Sequence, residues 1–287
     1  MVMQDVKLHV GCTGFNYDDW KSHLGGFYPS KIDKFELLDF YSTQFTTCEI
    51  NSTFYAFPKL ETTARWNKSL PDDFVLTAKI PKAICQADNL SVVDQNLKSF
   101  LHVMSPLKKK LGPLVMQLKP SFEKTDSTRE QIFDFVSFFP HSEYQLIVEF
   151  RHNSWYNEDT YDLLNEKEIG IVSSFLPYIK FNLFEEVKKE HFYLRLIGSH
   201  QQQIGLGKEL KDRTSYMEDT ADNLLQAFQN NSNKSTGYVF INNHFSGYAP
   251  PAARKFKEIL KEKKIVVVEP QKTVFKGQQK LADFFGS

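Results

Sequence analysis

Gln145-Leu146-Ile147-Val148-Glu149-Phe150-Arg151-His152-Asn153-Ser154-Trp155 reads as a buried β-strand that turns polar at its end. Side chains alternate across a strand, so Leu146, Val148 and Phe150 face one way and Ile147, Glu149 and Arg151 the other. An acid and a base therefore share one face of an apolar strand. Charges buried there are costly unless they have partners or a chemical task.

Working outward from that strand, the same unit repeats. Toward the N-terminus, strands are predicted at 7–14, 46–53, 74–81 and 114–120, and toward the C-terminus at 170–175, 191–198 and 237–243. Helical spacing lies between them. It runs from an Asp33 N-cap with Glu36 three residues on, over 60–70, over 92–111 until Gly112-Pro113, around Ile132, Phe135 and Phe138, and over 157–168, 217–228 and 252–262. Residues 265–269 could add one short strand, with the tail packing outside or fraying. Eight strands alternating with helix-length segments over 287 residues predict one α/β domain spanning 1–287, a closed parallel (β/α)8 TIM-barrel-like fold with outer helices. An open doubly wound sheet is the alternative, but no GxGxxG or GxxxxGK[ST] motif occurs, so no nucleotide cofactor is expected.

Composition narrows the partners. Lys+Arg and Asp+Glu each total 35, a formal charge of zero, which argues against a nucleic-acid-binding face. The 3 cysteines, Cys12, Cys48 and Cys85, are widely spaced and suggest neither a disulfide framework nor a zinc site. No secretory leader or membrane-length apolar run is evident, so the expected setting is a reducing cytoplasm.

Strands of a parallel sheet are buried on both faces and should be apolar throughout, yet polar residues recur on alternate positions late in five of them. They are Glu49 and Asn51, Thr77 and Lys79, Gln117 and Lys119, Glu149 and Arg151, and Arg195. In a barrel these ends converge on the mouth, where sites on this fold are built. Any one of them could be a buried ion pair. The set instead makes a cationic pocket holding carboxylates, suited to acid–base chemistry on a small anionic or sugar-like ligand.

The loops after the strands extend the set. His152 could shuttle a proton or orient a backbone carbonyl, and Asn242, Asn243 and His244 after the last strand could offer donors to a phosphate. Trp155 with Phe15, Trp20 and Tyr55 could wall the pocket, although aromatics at such positions more often pin loops onto a barrel. Glu49, Glu149, His152 and His244 lack HxH or HExxH spacing and stand among lysine and arginine, so no metal site is expected. Cys12 shares the parity of Leu8 and Val10 and should pack against a helix.

These residues also carry a resemblance. Gly11-Cys12-Thr13-Gly14-Phe15, Phe27-Tyr28-Pro29, Glu49-Ile50-Asn51-Ser52-Thr53-Phe54-Tyr55, Lys79, Glu149-Phe150-Arg151-His152 with Ser154-Trp155, Tyr193-Leu194-Arg195-Leu196 with Gly198, and Phe240-Ile241-Asn242-Asn243-His244 resemble the DUF72, or YecE-like, family of uncharacterised proteins. The resemblance spans nearly the whole chain and implies a TIM-barrel-like fold but no particular reaction. Phe15 departs from the family's usual Trp, and Ile197-Gly198-Ser199-His200 departs from a common His-Gly-Arg.

The expectation is a hydrolase or isomerase in which Glu149 exchanges the proton with Glu49 as partner and His152 beside them. Asn51, Tyr55, Lys79, Gln117, Arg151, Trp155, Arg195, Asn242, Asn243 and His244 would contact the ligand. A non-catalytic ligand-binding module and a phosphodiester hydrolase are the alternatives.

Overall fold

The computed structural model describes residues 6–175, 191–199, 201, 203–230, 235–271 and 274–275. Parallel strands β1 Lys7–Thr13, β2 Thr47–Ile50, β3 Val75–Lys79, β4 Leu111–Gln117, β5 Leu146–Glu149, β6 Gly170–Ser174, β7 His191–Leu196 and β8 Thr236–Ile241 pair in chain order. β1 returns to pair with β8 from Lys7↔Thr236 to Cys12↔Ile241, which closes the barrel and removes the open-sheet alternative.

Around the barrel lie α1 Leu37–Tyr41, α2 Leu60–Ser69, α3 Lys82–Cys85, α4 Asp94–Met104, α5 Asp126–Phe138, α6 Glu158–Glu166, α7 Thr214–Asn230, α8 Asn243–Ser246 and α9 Ala249–Glu262. The segment expected between β6 and β7, residues 176–190, lies outside the described residues. No helix among the described residues is long and apolar enough to cross a membrane.

Two side-chain layers follow from the strand period. Leu8, Val10, Cys12, Cys48, Ile50, Leu76, Ala78, Met116, Val148 and Leu194 point out to the helices and join the main apolar core. Val115, Ile147, Val172, Tyr193, Tyr238 and Phe240 point in and fill the barrel. Cys12 lies in that outer layer, as its parity foretold, and all three cysteines are free and buried.

Three boundaries differ from expectation. The helix expected from Asp33 starts at Leu37, although Asp33 Oδ1 accepts from Phe35 N–H and Glu36 reaches back to Asp33 N–H; these bonds close a turn ahead of the helix. The run over 92–111 breaks after Met104 into a 3-10 segment, Ser105–Lys110, because Pro106 has no N–H to donate and Lys108 turns to φ 53°. The buried Lys110 then donates to Asn67 O and Leu70 O, sealing the end of α2.

The third difference is that Gly112-Pro113 sits inside β4. The pairing moves from Leu76↔Leu111 to Ala78↔Leu114, two residues on β3 against three on β4, and such a bulge is where a strand tolerates proline. Residues 265–269 contribute a single bridge, Leu8↔Val267. β2 pairs with β1 only at Cys12 and Thr13, so that side of β1 is open at Leu8, and Val268 N–H donates to Leu8 O there.

Candidate active site at the barrel mouth

Directly above the apolar barrel filling, the inward positions turn polar. Register places Glu49 beside Thr77, Gln117 beside Glu149, and Ser174 beside Arg195. Glu49, Thr77 and Glu149 are fully buried, and Arg195 and Ser174 almost so.

Arg195 is the hub. Its Nη1 donates to Glu149 Oε2 at 2.7 Å and its Nη2 to Glu49 Oε1 at 2.9 Å, so one guanidinium bridges acids from β2 and β5. The remaining carboxylate oxygens are also occupied. Tyr193 O–H donates to Glu49 Oε2 at 2.8 Å, which leaves the 2.8 Å contact between Thr77 and Tyr193 to be donated by Thr77. Glu149 Oε1 accepts from Ser174 Oγ at 2.6 Å and pairs with Arg151 Nη2 at 2.8 Å.

Charge then decides protonation. Burial alone would raise Glu149, but the Arg151 and Arg195 charges, with smaller help from Lys79 and Ser174, outweigh it and hold this carboxyl at about 2. Burial opposes the charge on Arg195, and the two glutamates more than restore it, leaving it above its ordinary value. Burial pushes the Tyr193 hydroxyl well up, with the neighbouring Glu49 charge adding to it.

Two carboxylates are matched by two guanidiniums, and Lys79 is the surplus cation. Its side chain is 8% exposed at the end of β3, its Nζ donates to Gln117 Oε1 at 2.7 Å and lies 5.3 Å above the Phe54 ring. Gln117 Oε1 also accepts from Arg151 Nη2 at 3.1 Å. No carboxylate among the described residues forms an ion pair with Lys79. Burial, then the Arg195 charge, lower its amine from 10.5 to about 7 against the opposing pull of Glu49 and Glu149, with Arg151 lowering it further.

Three buried atoms of this cluster have no hydrogen-bond partner among the described residues: Asn51 Oδ1, Arg151 Nε and Arg195 Nε. Buried polar atoms are satisfied in the great majority of cases, so three orphans at one site need an explanation.

Of the residues expected at the site, Glu49, Lys79, Gln117, Glu149, Arg151 and Arg195 come together in this one network, with Asn51 just past the end of β2. Asn242 stands over Thr13 on the inward face, its Nδ2 donating to Thr13 Oγ1 at 2.7 Å while its Oδ1 caps the four-residue α8. His152 is half-buried and caps the turn Asn153–Trp155, with Nδ1 2.8 Å from Ser154 Oγ. His244 is half-buried within α8.

Others are placed elsewhere. Asn243 is buried behind the rim, accepting from Trp20 Nε1 at 3.0 Å and from Ala249 N–H at 2.9 Å, where it ties the first loop to α9. Trp155 stacks on Phe150 at 4.7 Å and donates to Phe122 O, which pins its loop down. Trp20 is likewise fully buried and Phe15 half-buried, so of the four aromatics only Tyr55, 82% exposed, stands open. It borders a groove of about 430 Å³ with Phe54, Phe57 and Pro81. Lys119 reaches out from the rim to Asp88 at 3.4 Å.

Tyr193, Ser174 and Phe54 were not expected at the site from the sequence, although Tyr193 and Phe54 stand in the motifs that carry the resemblance. A parity signal existed for two of them, since Tyr193 lies two residues before Arg195 and Ser174 closes β6 on the inward face; Phe54 had none. Among the described residues no three His, Cys, Asp or Glu side chains group as a metal site would.

In comparison with known proteins, the family described as "Protein of unknown function DUF72" matches residues 9–275. The UPF0759 protein YecE of Escherichia coli K12 is 32% identical over 119 residues, 42% of this chain and 43% of YecE, so the match spans less than half of that curated relative. Crystal structures of DUF72 family proteins share the fold. That from Thermotoga maritima MSB8 is 23% identical with a TM-score of 0.70, covering 89% of this chain and 99% of its own. That from Enterococcus faecalis V583 is 20% identical with a TM-score of 0.70, covering 91% and 99%. His200, part of the departure from the family pattern, lies outside the described residues.

Proposed function

The chain belongs to the DUF72 family, whose description assigns no activity, and from the geometry of the barrel mouth we propose that it is an acid–base enzyme acting on a small anionic, carbohydrate-like substrate, with Lys79 as the proton-transfer group. One observation carries the reading. A buried lysine at the C-terminal end of a barrel strand has no ion-pair partner among the described residues, and burial lowers its amine to about 7.

This moves the role expected of Glu149 to Lys79. A carboxyl held at about 2 has no proton to give near neutrality, and its oxygens are taken by Arg195, Arg151 and Ser174. A two-carboxylate hydrolysis needs an oxygen free to attack or activate water, and all four oxygens of this pair are hydrogen-bonded to Arg195, Tyr193 and Ser174. Proton transfer at carbon, as in an isomerase, suits a neutral amine among guanidiniums that can hold an anionic group and a developing oxyanion. Glu49 and Glu149 then act as positioning residues that fix Arg195 and Arg151.

The test is wash-in of solvent deuterium, followed by NMR, across sugar phosphates and sugar acids. We expect exchange at a carbon-bound proton with the wild-type protein and none with Lys79→Met. Thermal stabilisation by a compound without exchange would favour the binding-module reading, and silence on both counts would remove the proposal.

A further inference from the structure

We propose that Lys79 reacts covalently, condensing with the carbonyl carbon of a small anionic aldehyde or ketone to form an imine while Arg151 holds the anionic group. This rests on the reading of the mouth given above and names both the substrate class and the step.

The geometry has three parts. Lys79 Nζ has a single hydrogen-bond partner among the described residues, the neutral oxygen of Gln117, and a ring wall in Phe54. Both nearby carboxylates are claimed by guanidiniums, so neither forms an ion pair with the amine. Arg151, with 9% of its side chain exposed, shares the Gln117 oxygen with Lys79 and keeps a buried Nε–H that no atom of the described residues accepts. An anion beside Arg151 would satisfy that donor and bring its own carbonyl to the amine. A lysine desolvated next to cationic groups is the recognised form of an amine nucleophile, and the lowered titration of Lys79 agrees with it.

The step balances without a further reactant. The Lys79 nitrogen lone pair forms a bond to the carbonyl carbon as the C=O π pair moves to oxygen, and a proton passes from nitrogen to that oxygen. Loss of the hydroxyl with a second nitrogen proton releases one water and leaves C=N. Protonated, this imine draws electrons from the adjacent carbon and acidifies its C–H.

Trapping tests the proposal. Wild-type protein is incubated at pH 7 with glyoxylate, pyruvate or glyceraldehyde 3-phosphate and sodium cyanoborohydride, whose hydride reduces an imine to a stable secondary amine, and adducts are mapped by peptide mass spectrometry. An amine titrating near 7 is about half neutral there, against roughly one part in a few thousand for an ordinary lysine. Lys79 should therefore label at least about tenfold faster than the exposed lysines, and Arg151→Gln should lower labelling by glyoxylate relative to acetaldehyde. Mapping on the wild-type chain needs no variant that folds. Labelling spread over surface lysines, with Lys79 no faster than they are, overturns the inference. If deuterium exchange still depends on Lys79 in that case, the amine works as a base and the preceding reading stands; loss of both removes both.

Discussion

Lys79 concentrates the physical tension of the site in one residue. Three cations surround two acids, and bridging geometry gives both acids to arginine, so the third cation is buried without an ion pair among the described residues. Its amine falls from 10.5 to about 7, so between those values the unfolded chain binds a proton that the folded chain does not. Stability at this residue is undiminished above 10.5 and is lost as the pH falls to 7, with the full penalty standing below that. The limit of that penalty is roughly 5 kcal/mol before relaxation. Lys79→Met should therefore stabilise the protein by at least about 1 kcal/mol at pH 6, with the gain gone by pH 10, as read from urea unfolding at the two pH values. A loss of stability at pH 6 would mean that the cation is structural. The polar face was legible from alternation alone, because Glu49, Lys79, Gln117, Glu149, Arg151 and Arg195 fall on inward positions. Which cation would be left over was not, since any of the three could have claimed the acids and only three-dimensional reach decides.

At the level of elements, the strands were legible wherever alternation ran to a clear stop, and illegible where one residue type serves two roles. Gly112-Pro113 reads as a helix terminator, and it does follow a helical run, yet it also begins a strand because a bulge removes the need for a proline N–H. Asn51 read as strand but opens a 3-10 turn, with φ −89° and ψ −21°, which alternation cannot reveal. Asn243 was legible as a rim residue but not as packing, since its contact with Trp20 crosses a long sequence separation, whereas Trp155 pins its loop to Phe122 as aromatics at such positions more often do. The bulge makes a prediction of its own. A Cβ at Gly112 would collide with the Val75 side chain and press on Thr77 Cγ2 at 3.2 Å, both on the strand that ends in Lys79. Gly112→Ala should cost about 1–3 kcal/mol in urea unfolding. The cost should shrink in a Val75→Ala background, a coupling that a double-mutant cycle reads directly. A free substitution, or one additive with Val75→Ala, would mean that β4 moves without strain.

For the whole molecule, net charge is zero and the sequence pI is near 7.1, so global repulsion is small near neutrality and the buried groups shape the pH profile. Burial lowers His9 from 6.5 to about 4, with Lys7 adding to it and Asp73 opposing, where the ring stacks on Tyr238 at 5.6 Å beside Thr46. The unfolded chain then takes up a proton from 6.5 downward that the folded chain refuses until 4, so stability falls across that range. Glu149, ordinary at 4.5 and held at about 2, extends the loss at lower pH. Asp19 and Glu209, raised by burial, act in the opposite sense, but their penalty begins at 3.8 and 4.5. Lys79 adds a rising slope from 7 to 10.5. The alkaline limb comes from thiols: burial raises Cys12, Cys48 and Cys85 above 9.0, so above that value the unfolded chain sheds three protons that the folded chain keeps, against one held by Lys79. Buried Tyr28, Tyr41 and Tyr193 steepen the fall from 10.0. Stability should therefore peak between about pH 7 and 9, on the alkaline side of the usual optimum of roughly 5 to 8. Urea midpoints from pH 4 to 10 check this, and His9→Gln should flatten the segment between 6.5 and 4. A maximum at or below pH 6 in the wild type, with that segment unchanged in the variant, would mean that the barrel accepts charge at His9 and Lys79 without the cost their burial implies.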